Sequence, residues 1–349
     1  MSTIAHTDPT VTGGVDTHQD THMAAALDGV GAQLGIRQFT ATPDGYDELL
    51  SWLQSFGTVG LVGVEGTGSY GAGLTRHLHA AGVRVVEVDR PNRQNRRRRG
   101  KSDPVDALSA ARAALSGDAA TQAKTRTGPV EAIRVLRVAR SSARHDRTEA
   151  LNQMRSLVAT APDEVREPLR DLSGHQLVIA AAALRPGGTV TAASATKTAL
   201  RELARRVHYL AKQIGRLDEL LRPLVAATAP ELVARHGVGT DTAGALLVAA
   251  GDNPVRLRNE AAFAHLCGAA PIEASFGKVI RHRLNQGGDR HANNALWRIA
   301  ITRMSSDPRT RDYVVKRTAE GKSKREIIRC LKRYIARELF PLLTPEKVD

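Results

Sequence analysis

Four carboxylates in the N-terminal part of the chain are spaced as metal-binding residues. Asp16 ends the apolar stretch in GGVDTH, and Glu65 follows the apolar stretch in LVGVEGTGSYG. Asp103 and Asp106 lie three residues apart at the start of a predicted helix, so they share a face. Hard oxygen ligands of this kind hold the Mg²⁺ or Mn²⁺ ions that assist phosphoryl transfer on DNA. These four residues are our predicted catalytic and metal-binding set.

Each of the four also has an ordinary explanation. An Asp after a strand is often a turn residue, and an Asp at a helix start favours the helix dipole. The set gains weight from the order of the elements that carry it. Residues 11–118 predict strand, strand, strand, helix, strand, helix, strand, helix, which favours an RNase H-like α/β domain over a doubly wound nucleotide fold. The last helix is expected over 102–115, with Asp103 as its cap and Pro104 in its first turn.

A second candidate centre lies near residue 275. Ser275 sits in a glycine-containing loop beside basic residues, and a serine can attack a phosphodiester when its hydroxyl is activated and the phosphate is clamped. An ordinary turn serine is the alternative. The segment NQGGDRHANNAL predicts a turn and then a helix, from which Arg290 and Asn293 could contact the DNA backbone. The candidate nucleic-acid-binding residues of this segment are Lys278, Arg281, Arg283 and Arg290.

The densest charge run, RQNRRRRGKSD, stands directly before Asp103. Four consecutive arginines alone are typical of a solvated loop, but their position favours a phosphate-binding loop beside the acidic residues. Its candidate contacts are Arg96, Arg97, Arg98, Arg99 and Lys101.

The remaining two thirds of the chain predict mostly helix. Residues 1–10 are expected to be disordered. Residues 119–235 predict a helical, coiled-coil region, with a long helix over 196–224 that pairs either with the helix near 130–160 or with another subunit. Residues 236–349 predict a basic helical domain, in which HGVGTDTAGALLVAAG is typical of a helix-hairpin-helix element that holds a DNA phosphate on its amides.

The charge balance favours a polyanionic partner. Fifty Lys and Arg against 36 Asp and Glu give a formal charge of +14 over 349 residues. Aromatic residues are only 3%, which argues against single-strand binding by rows of stacked rings. An anionic membrane surface is the other partner class, but no apolar run is long enough to span a bilayer, and the N-terminus has no signal pattern. We therefore expect a cytoplasmic, nucleoid-associated protein.

Two other site types are disfavoured. The glycines of GVEGTGSYG do not match a dinucleotide fingerprint and predict close backbone approach to DNA or metal. His18 and His22 lack the partners of a zinc site, although alternation puts His18 and Asp20 beside Asp16 as supporting groups. Cys267 and Cys330 are far apart and are expected to be reduced and buried.

The sequence resembles the DEDD transposases of the insertion-sequence 110 family, which are related to the Piv invertases. The resemblance covers nearly the whole chain. It rests on GVDTHQDTH, GVEGTGSYG and VEVDRPNRQNRRRRGKSDPVDA near the N-terminus, and on GVGTDTAGALLVAAGDNP, FAHLCGAAPIEAS, GKVIRHRLNQGGDRHANNALWRIA and GKSKREIIRCLKRYIARE near the C-terminus.

The resemblance implies a RuvC-like domain whose tetrad is Asp16, Glu65, Asp103 and Asp106. It further implies a coiled-coil region, a C-terminal transposase domain with a nucleophilic serine, a structured guide RNA that pairs with donor and target DNA, and assembly as a dimer or tetramer. Family members commonly read Ser-Ser-Gly where this chain reads Ser275-Phe276-Gly277. Either Ser275 is the nucleophile or the chain is impaired at this step.

The function expected from the sequence is therefore that of an insertion-sequence transposase or recombinase. A Mg²⁺-dependent nuclease that resolves DNA junctions and a nucleic-acid-binding transposase remnant are the alternatives.

Overall fold

The computed structural model describes residues 10–88, 102–188, 190–275, 279 and 281–343. The chain forms two compact units. One contains the residues up to Gly128 together with Ala250–Phe263, and the other contains Pro129–Ala249 and Ala264–Pro345.

The first unit is built on a five-stranded mixed sheet in the order β3-β2-β1-β4-β5. Strands β1 to β3 pair antiparallel, whereas β4 pairs parallel with both β1 and β5. The described elements are β1 (Thr10–Thr17), β2 (Thr21–Leu27), β3 (Gln33–Thr40), α1 (Pro43–Gln54), β4 (Thr58–Glu65), α2 (Ala72–Ala80), β5 (Val85–Val88) and α3 (Asp103–Ser116). This order confirms the predicted succession of strands and helices, and a meander followed by parallel strands is the arrangement expected of an RNase H-like domain.

The two faces of this sheet are packed differently. On one face, large apolar side chains of β1 and β4, such as Val15 and Val64, pack against α1 and α2 through residues such as Leu53 and Leu74. On the other face, Ala25 and Leu27 of β2 pack against Ala107 and Ala111 of α3. Side chains alternate across a strand, so Gly14 and Asp16 share the α3 face.

Two glycines let α3 lie directly on the sheet. Gly14 and Gly63 are partners in the β1–β4 register. A Cβ on Gly14 would overlap the Ala111 backbone, and one on Gly63 would lie 2.7 Å from the Ala110 carbonyl oxygen. The glycines therefore position a helix backbone, and the helix in turn positions the acidic residues at its N-terminus.

The segment Ala250–Phe263 completes the first unit although it is far from it in sequence. Residues 121–123 run along β5, where the Glu87 amide donates to the Thr121 carbonyl. The Asn253 side-chain amide donates to the Ala123 carbonyl at 2.8 Å, and the largely buried Arg256 donates to the Gln122 carbonyl at 3.0 Å.

The second unit is mainly helical. Its described elements are α4 (Pro129–Ala159), α5 (Asp163–Arg166), α6 (Gly174–Ala182), α7 (Ala192–Thr228), α8 (Pro230–Val233), α9 (Thr240–Ala250), α10 (Glu260–Leu266), the short hairpin strands β6 (Ile272–Glu273) and β7 (His282–Arg283), α11 (Arg290–Ser306), α12 (Pro308–Ala319) and α13 (Lys324–Leu343). The first residues of α10 and the last of α9 belong to the first unit.

The long predicted helix exists as α7 and is longer than expected. It begins after Thr191, whose side chain forms a capping box with Ser194, and it continues through Pro223. It packs antiparallel against α4, with Met154 near Leu200 and Ala143 near Leu210. Of the two pairings left open by the sequence, the internal one is present.

Candidate metal centre

The ends of two neighbouring strands bring Asp16 and Glu65 together. The parallel β1–β4 register pairs Val15 with Val64, and Asp16 and Glu65 are the next residue of each strand. Thr17 fixes this edge, because its hydroxyl donates to the Glu65 carbonyl at 2.8 Å. Glu65 Oε2 is shielded from solvent.

The first turn of α3 supplies the other two carboxylates. Asp106 is 4% exposed, whereas the Asp103 side chain is 50% exposed. The expected role of Asp103 as a cap is wrong, because Ser102 is the N-cap and Asp103 is the first helical residue. The Asp103 carboxylate is therefore directed to the cluster and not to the helix amides.

His18 lies between the two aspartates. Its Nε2 is 3.2 Å from Asp16 Oδ2 and 3.4 Å from Asp103 Oδ1. The sequence placed His18 beside Asp16 as a supporting group only. It placed Asp20 there too, which is wrong: β1 ends at Thr17, the chain turns through a bond from the His18 amide to the Thr21 carbonyl, and Asp20 is exposed.

The electrostatics of Asp16 are those of a crowded anionic site. Burial raises the pKa of the Asp16 carboxyl, His18 acts to lower it, and the negative charges of Asp106 and Asp103 raise it further, so that the net pKa lies above its ordinary value. A bound cation would offset both the desolvation and the repulsion.

The donor set fits a divalent metal ion. One ligand atom from each of Asp16, His18 and Asp103 lies within 4.8 Å of the other two. Among the described residues, these three side chains form the group that could hold a metal ion. Carboxylate oxygens suit Mg²⁺ or Mn²⁺, and an added imidazole is better suited to softer ions. His22 does not join His18, because it is fully buried and stacks on Tyr46.

The glycines around Glu65 have local structural roles. Gly63 accommodates α3, and Gly66 has a φ of 70°, which favours glycine, at the start of the turn after β4. The prediction that Gly63 admits DNA or metal is therefore wrong, because its α3 face is filled by the Ala110 carbonyl.

Ser275 belongs to the second unit, in the loop after β6. Its hydroxyl accepts from the Arg281 amide at 3.2 Å and donates to the Arg281 carbonyl at 3.4 Å. These bonds are those of a serine that closes a hairpin. Phe276, Gly277 and Lys278 lie outside the described residues.

Some of the candidate nucleic-acid-binding residues belong to the described part of the chain and others do not. Arg281, Arg283 and Arg290 are exposed, with Arg283 in β7 and Arg290 opening α11. Asn293 has another role, because its side chain donates to the Cys267 carbonyl and accepts from Lys332. The arginine run Arg96, Arg97, Arg98, Arg99 and Lys101 lies outside the described residues.

The sequence missed a larger basic feature. A cleft of about 920 Å³ in the second unit is lined by arginines of α4 and α11 around Asp241. The i, i+3 recurrence of Arg134, Arg137 and Arg140 was the available signal.

Cys267 and Cys330 are free thiols, the first buried and the second half-buried. Burial raises the pKa of the Cys267 thiol far above its ordinary value, so it stays protonated. No helix in the described part of the chain combines the length and apolar character that crossing a bilayer requires.

Two family models match the chain. A model described as a transposase, of the IS110 DEDD type, matches residues 13–161, and a model described as the IS116/IS110/IS902 transposase family matches residues 231–315. The chain is also similar to the insertion element IS110 uncharacterized 43.6 kDa protein of Streptomyces coelicolor, with 33% identity over 115 residues. That match covers 33% of this chain and 28% of the relative.

Proposed function

Because the chain belongs to the IS110 family of transposases, we propose that it is a DNA transposase or recombinase whose phosphoryl transfer is centred on Asp16, Glu65, Asp103 and Asp106. The observation that carries the proposal is the convergence of strand ends and helix start. Gly14 and Gly63 bring α3 against β1 and β4, which supports a common site for the carboxylates that these three elements carry.

The four carboxylates would hold Mg²⁺ or Mn²⁺. The bound metal would polarise the phosphate and lower the pKa of the attacking hydroxyl. The protein's own part is to keep Asp16 and Asp106 buried, and to leave the half-exposed Asp103 and His18 at the open side where a DNA phosphate can approach.

We further propose that Ser275 makes a transient covalent link to DNA, in which its Oγ forms a bond to phosphorus while the P–O bond to a deoxyribose oxygen breaks, and that oxygen leaves as a hydroxyl with the proton that the serine gives up. Its place in a hairpin beside the exposed Arg281 and Arg283 supports this, since guanidinium groups clamp phosphate oxygens. For attack, the hydroxyl must leave its bonds to the Arg281 backbone. The Phe276 that replaces the usual serine favours the alternative of an impaired remnant.

The remaining proposals concern partners and assembly. We propose double-stranded DNA and a structured guide RNA as ligands, which the formal charge of +14 supports. We also propose that the chain forms a homo-oligomer and that α4 and α7 act as a coiled coil. The turn before α9 is proposed to hold a phosphate, and the division of the chain at residues 10, 118 and 235 is a further proposal.

The test of the central proposal is strand exchange by protein purified together with RNA from its flanking DNA. Asp16→Ala and Glu65→Ala should abolish exchange and leave nucleic-acid binding intact. Exchange at the wild-type rate in either variant contradicts the assignment.

Trapping distinguishes the serine step from simple cleavage. A recombinase leaves a protein–DNA adduct that Ser275→Ala cannot form, whereas a junction-resolving nuclease leaves free ends. An adduct that persists in Ser275→Ala excludes Ser275 as the nucleophile.

A further inference from the structure

The arginine cleft of the second unit contains none of the residues named above as catalytic, metal-binding or nucleic-acid-binding candidates, although Asp241 and Thr242 belong to the HGVGTDTAGALLVAAG segment. It lies between α4, the start of α9 and the N-terminal part of α11, and has a volume of about 920 Å³. Five arginines line it, against the two carboxylates of Asp241 and Asp289. The five are Arg134, Arg137, Arg140, Arg144 and Arg298.

Four of these arginines form a stripe along one helix. Arg134, Arg137, Arg140 and Arg144 recur every three or four residues, so they share a face of α4. At a rise of about 1.5 Å per residue, the stripe extends over roughly 15 Å. The stripe is thus an extended positively charged surface and not a single charged site.

Asp241 organises the stripe but cannot neutralise it. Its carboxylate is 2.6 Å from Arg137, 3.3 Å from Arg140 and 4.0 Å from Arg144, and it also pairs with Arg298. The single Asp241 carboxylate therefore faces four guanidinium groups, of which Arg140 is also paired with Asp218. Burial acts to raise the pKa of Asp241, but attraction by Arg137, the bond from Arg298 and attraction by Arg140 keep that pKa below its ordinary value.

The arginines of the cleft differ in their exposure and in the carboxylates with which they pair. The side chains of Arg137 and Arg140 are 17% and 15% exposed, and Arg140 is also fastened to Asp218 of α7, so these two hold helices together. Arg144 and Arg298 are 51% and 44% exposed and reach the opening of the cleft. Arg134 is 35% exposed and is paired with Glu131 on its own helix.

The rest of the lining suits a phosphate chain. Ser141, Thr148 and Asn294 add neutral donors, and hydroxyl and amide groups of this kind commonly bind phosphate oxygens. None of the residues that line the cleft is Phe, Trp or Tyr, so the rings that the lining offers for base stacking are the imidazoles of His145 and His291. The chemistry fits a sugar–phosphate backbone read without regard to sequence.

We propose that this cleft binds the phosphodiester backbone of a nucleic-acid strand, through Arg134, Arg144 and Arg298 at its opening. The inference rests on the proposed function only for the identity of the polyanion. An acidic peptide is the competing ligand, but the spaced stripe of planar guanidinium groups favours successive phosphates, which each accept two parallel bonds.

The first experiment compares two doubly substituted proteins by fluorescence anisotropy with labelled single-stranded DNA and RNA over a salt series. Arg134→Gln with Arg144→Gln should weaken binding about tenfold and lower the salt slope by about 1.4, at roughly 0.7 for each phosphate that is no longer neutralised. The matched control is Arg166→Gln with Arg170→Gln, in the same unit. The control side chains have similar exposure, 37% and 55%, and are also paired with carboxylates, those of Asp163, Glu167 and Asp171, but they do not line the cleft.

The control should keep wild-type affinity and slope. Equal behaviour of the two double variants, both folded by circular dichroism, overturns the proposal.

A footprint on the unmodified protein keeps the test independent of folding. Phenylglyoxal modification, read by mass spectrometry, should slow at Arg144 and Arg298 when DNA or RNA is bound, and continue at Arg170. The nucleic acid that slows modification, DNA or RNA, identifies the strand that the cleft binds. Protection by polyglutamate and by neither nucleic acid overturns the proposal in favour of a peptide ligand.

Neither readout needs a chemical step. If Asp16→Ala recombines normally, the proposed function fails while the cleft is still tested by binding. If the arginine variants bind as the control does, the cleft fails while strand exchange still tests the proposed function.

Discussion

At the scale of the residue, Asp16 shows how a candidate catalytic group costs stability. It is held almost out of water, with Asp103 and Asp106 close enough to raise the pKa of its carboxyl. A raised pKa for an acid means that the ionised form is disfavoured in the folded state. Stability is then greatest at low pH and is lost as the pH rises from the ordinary value of 3.8 through the higher folded pKa.

Asp16→Asn should therefore raise the melting temperature in the presence of EDTA. Mg²⁺ should stabilise the wild type, by about 2.7 kcal/mol at a hundredfold excess over the dissociation constant, and should have little effect on the variant. Differential scanning calorimetry with and without Mg²⁺ measures both effects. A variant that is less stable than the wild type in EDTA contradicts the crowded-anion description.

The sequence suggested four carboxylates as a candidate set, and it did not predict the position of His18 between Asp16 and Asp103. Asp16 and Glu65 could be found because each ends an apolar stretch, and strand ends meet at one edge of a parallel pair. His18 could not be placed because the turn after Thr17 decides which alternate residues stay on the strand face. Asp20 leaves the strand face that carries Asp16, whereas His18 remains beside Asp16.

At the scale of the element, the contact between α3 and the sheet fixes the site. The helix backbone lies against Gly14 and Gly63, which are neighbours across β1 and β4. The sequence shows both glycines but gives no sign of which element approaches them. Register between strands 49 residues apart is a tertiary property.

Gly14→Ala should displace α3 and destabilise the first unit by at least about 3 kcal/mol, since overpacking a rigid site commonly costs ~1–3 kcal/mol and here the obstacle is backbone. Chemical denaturation measures the loss, and strand exchange should fall with it. Gly29→Ala is the control, because a Cβ there meets nothing within 4 Å. Equal stability of the two variants would falsify the tight contact.

The start of α9 gives a second element-scale prediction. Asp241→Asn should destabilise the second unit by about 2–3 kcal/mol at neutral pH, because the bonds from Arg137 and Arg298 lose their charge. The lowered pKa means that wild-type stability is complete above 3.8 and is lost as the pH falls through the folded value. The difference between wild type and variant should therefore shrink in acid.

Thermal unfolding over a pH series measures this effect. The exposed pair of Asp171 with Arg170 provides the control, and Asp171→Asn should be nearly neutral. Nucleic-acid binding should move the other way in Asp241→Asn, because the cleft becomes more positive. A parallel loss of stability and affinity would argue against the cleft as a binding surface.

At the scale of the whole molecule, the chain leaves the first unit at Gly128 and returns to it at Ala250. Composition and periodicity indicate the helices, and the long helix α7 was expected. They cannot indicate the return, which depends on polar contacts between residues about 130 positions apart, such as Asn253 with Ala123 and Thr125. The arginine cleft escaped the sequence for the same reason, since Arg137 and Asp241 are 104 residues apart.

Asn253→Ala should loosen the first unit locally. The loss of two hydrogen bonds is expected to cost about 1–2 kcal/mol and to speed hydrogen exchange along β5, where the Glu87 amide donates to the segment at 121–123. Mass-spectrometric exchange resolves this segment. Asn152→Ala, at an exposed position of α4, should leave β5 unchanged.

The returning segment has a consequence for exchanging parts between relatives. A chimera joined at residue 128 would place a foreign 250–263 stretch against β5, with Asn253 and Arg256 replaced by whatever that relative carries. A graft of the first unit should therefore travel as two gene segments, 1–128 and 250–263. The first unit is encoded by two separate stretches of the gene, so a single crossover cannot transfer the whole unit.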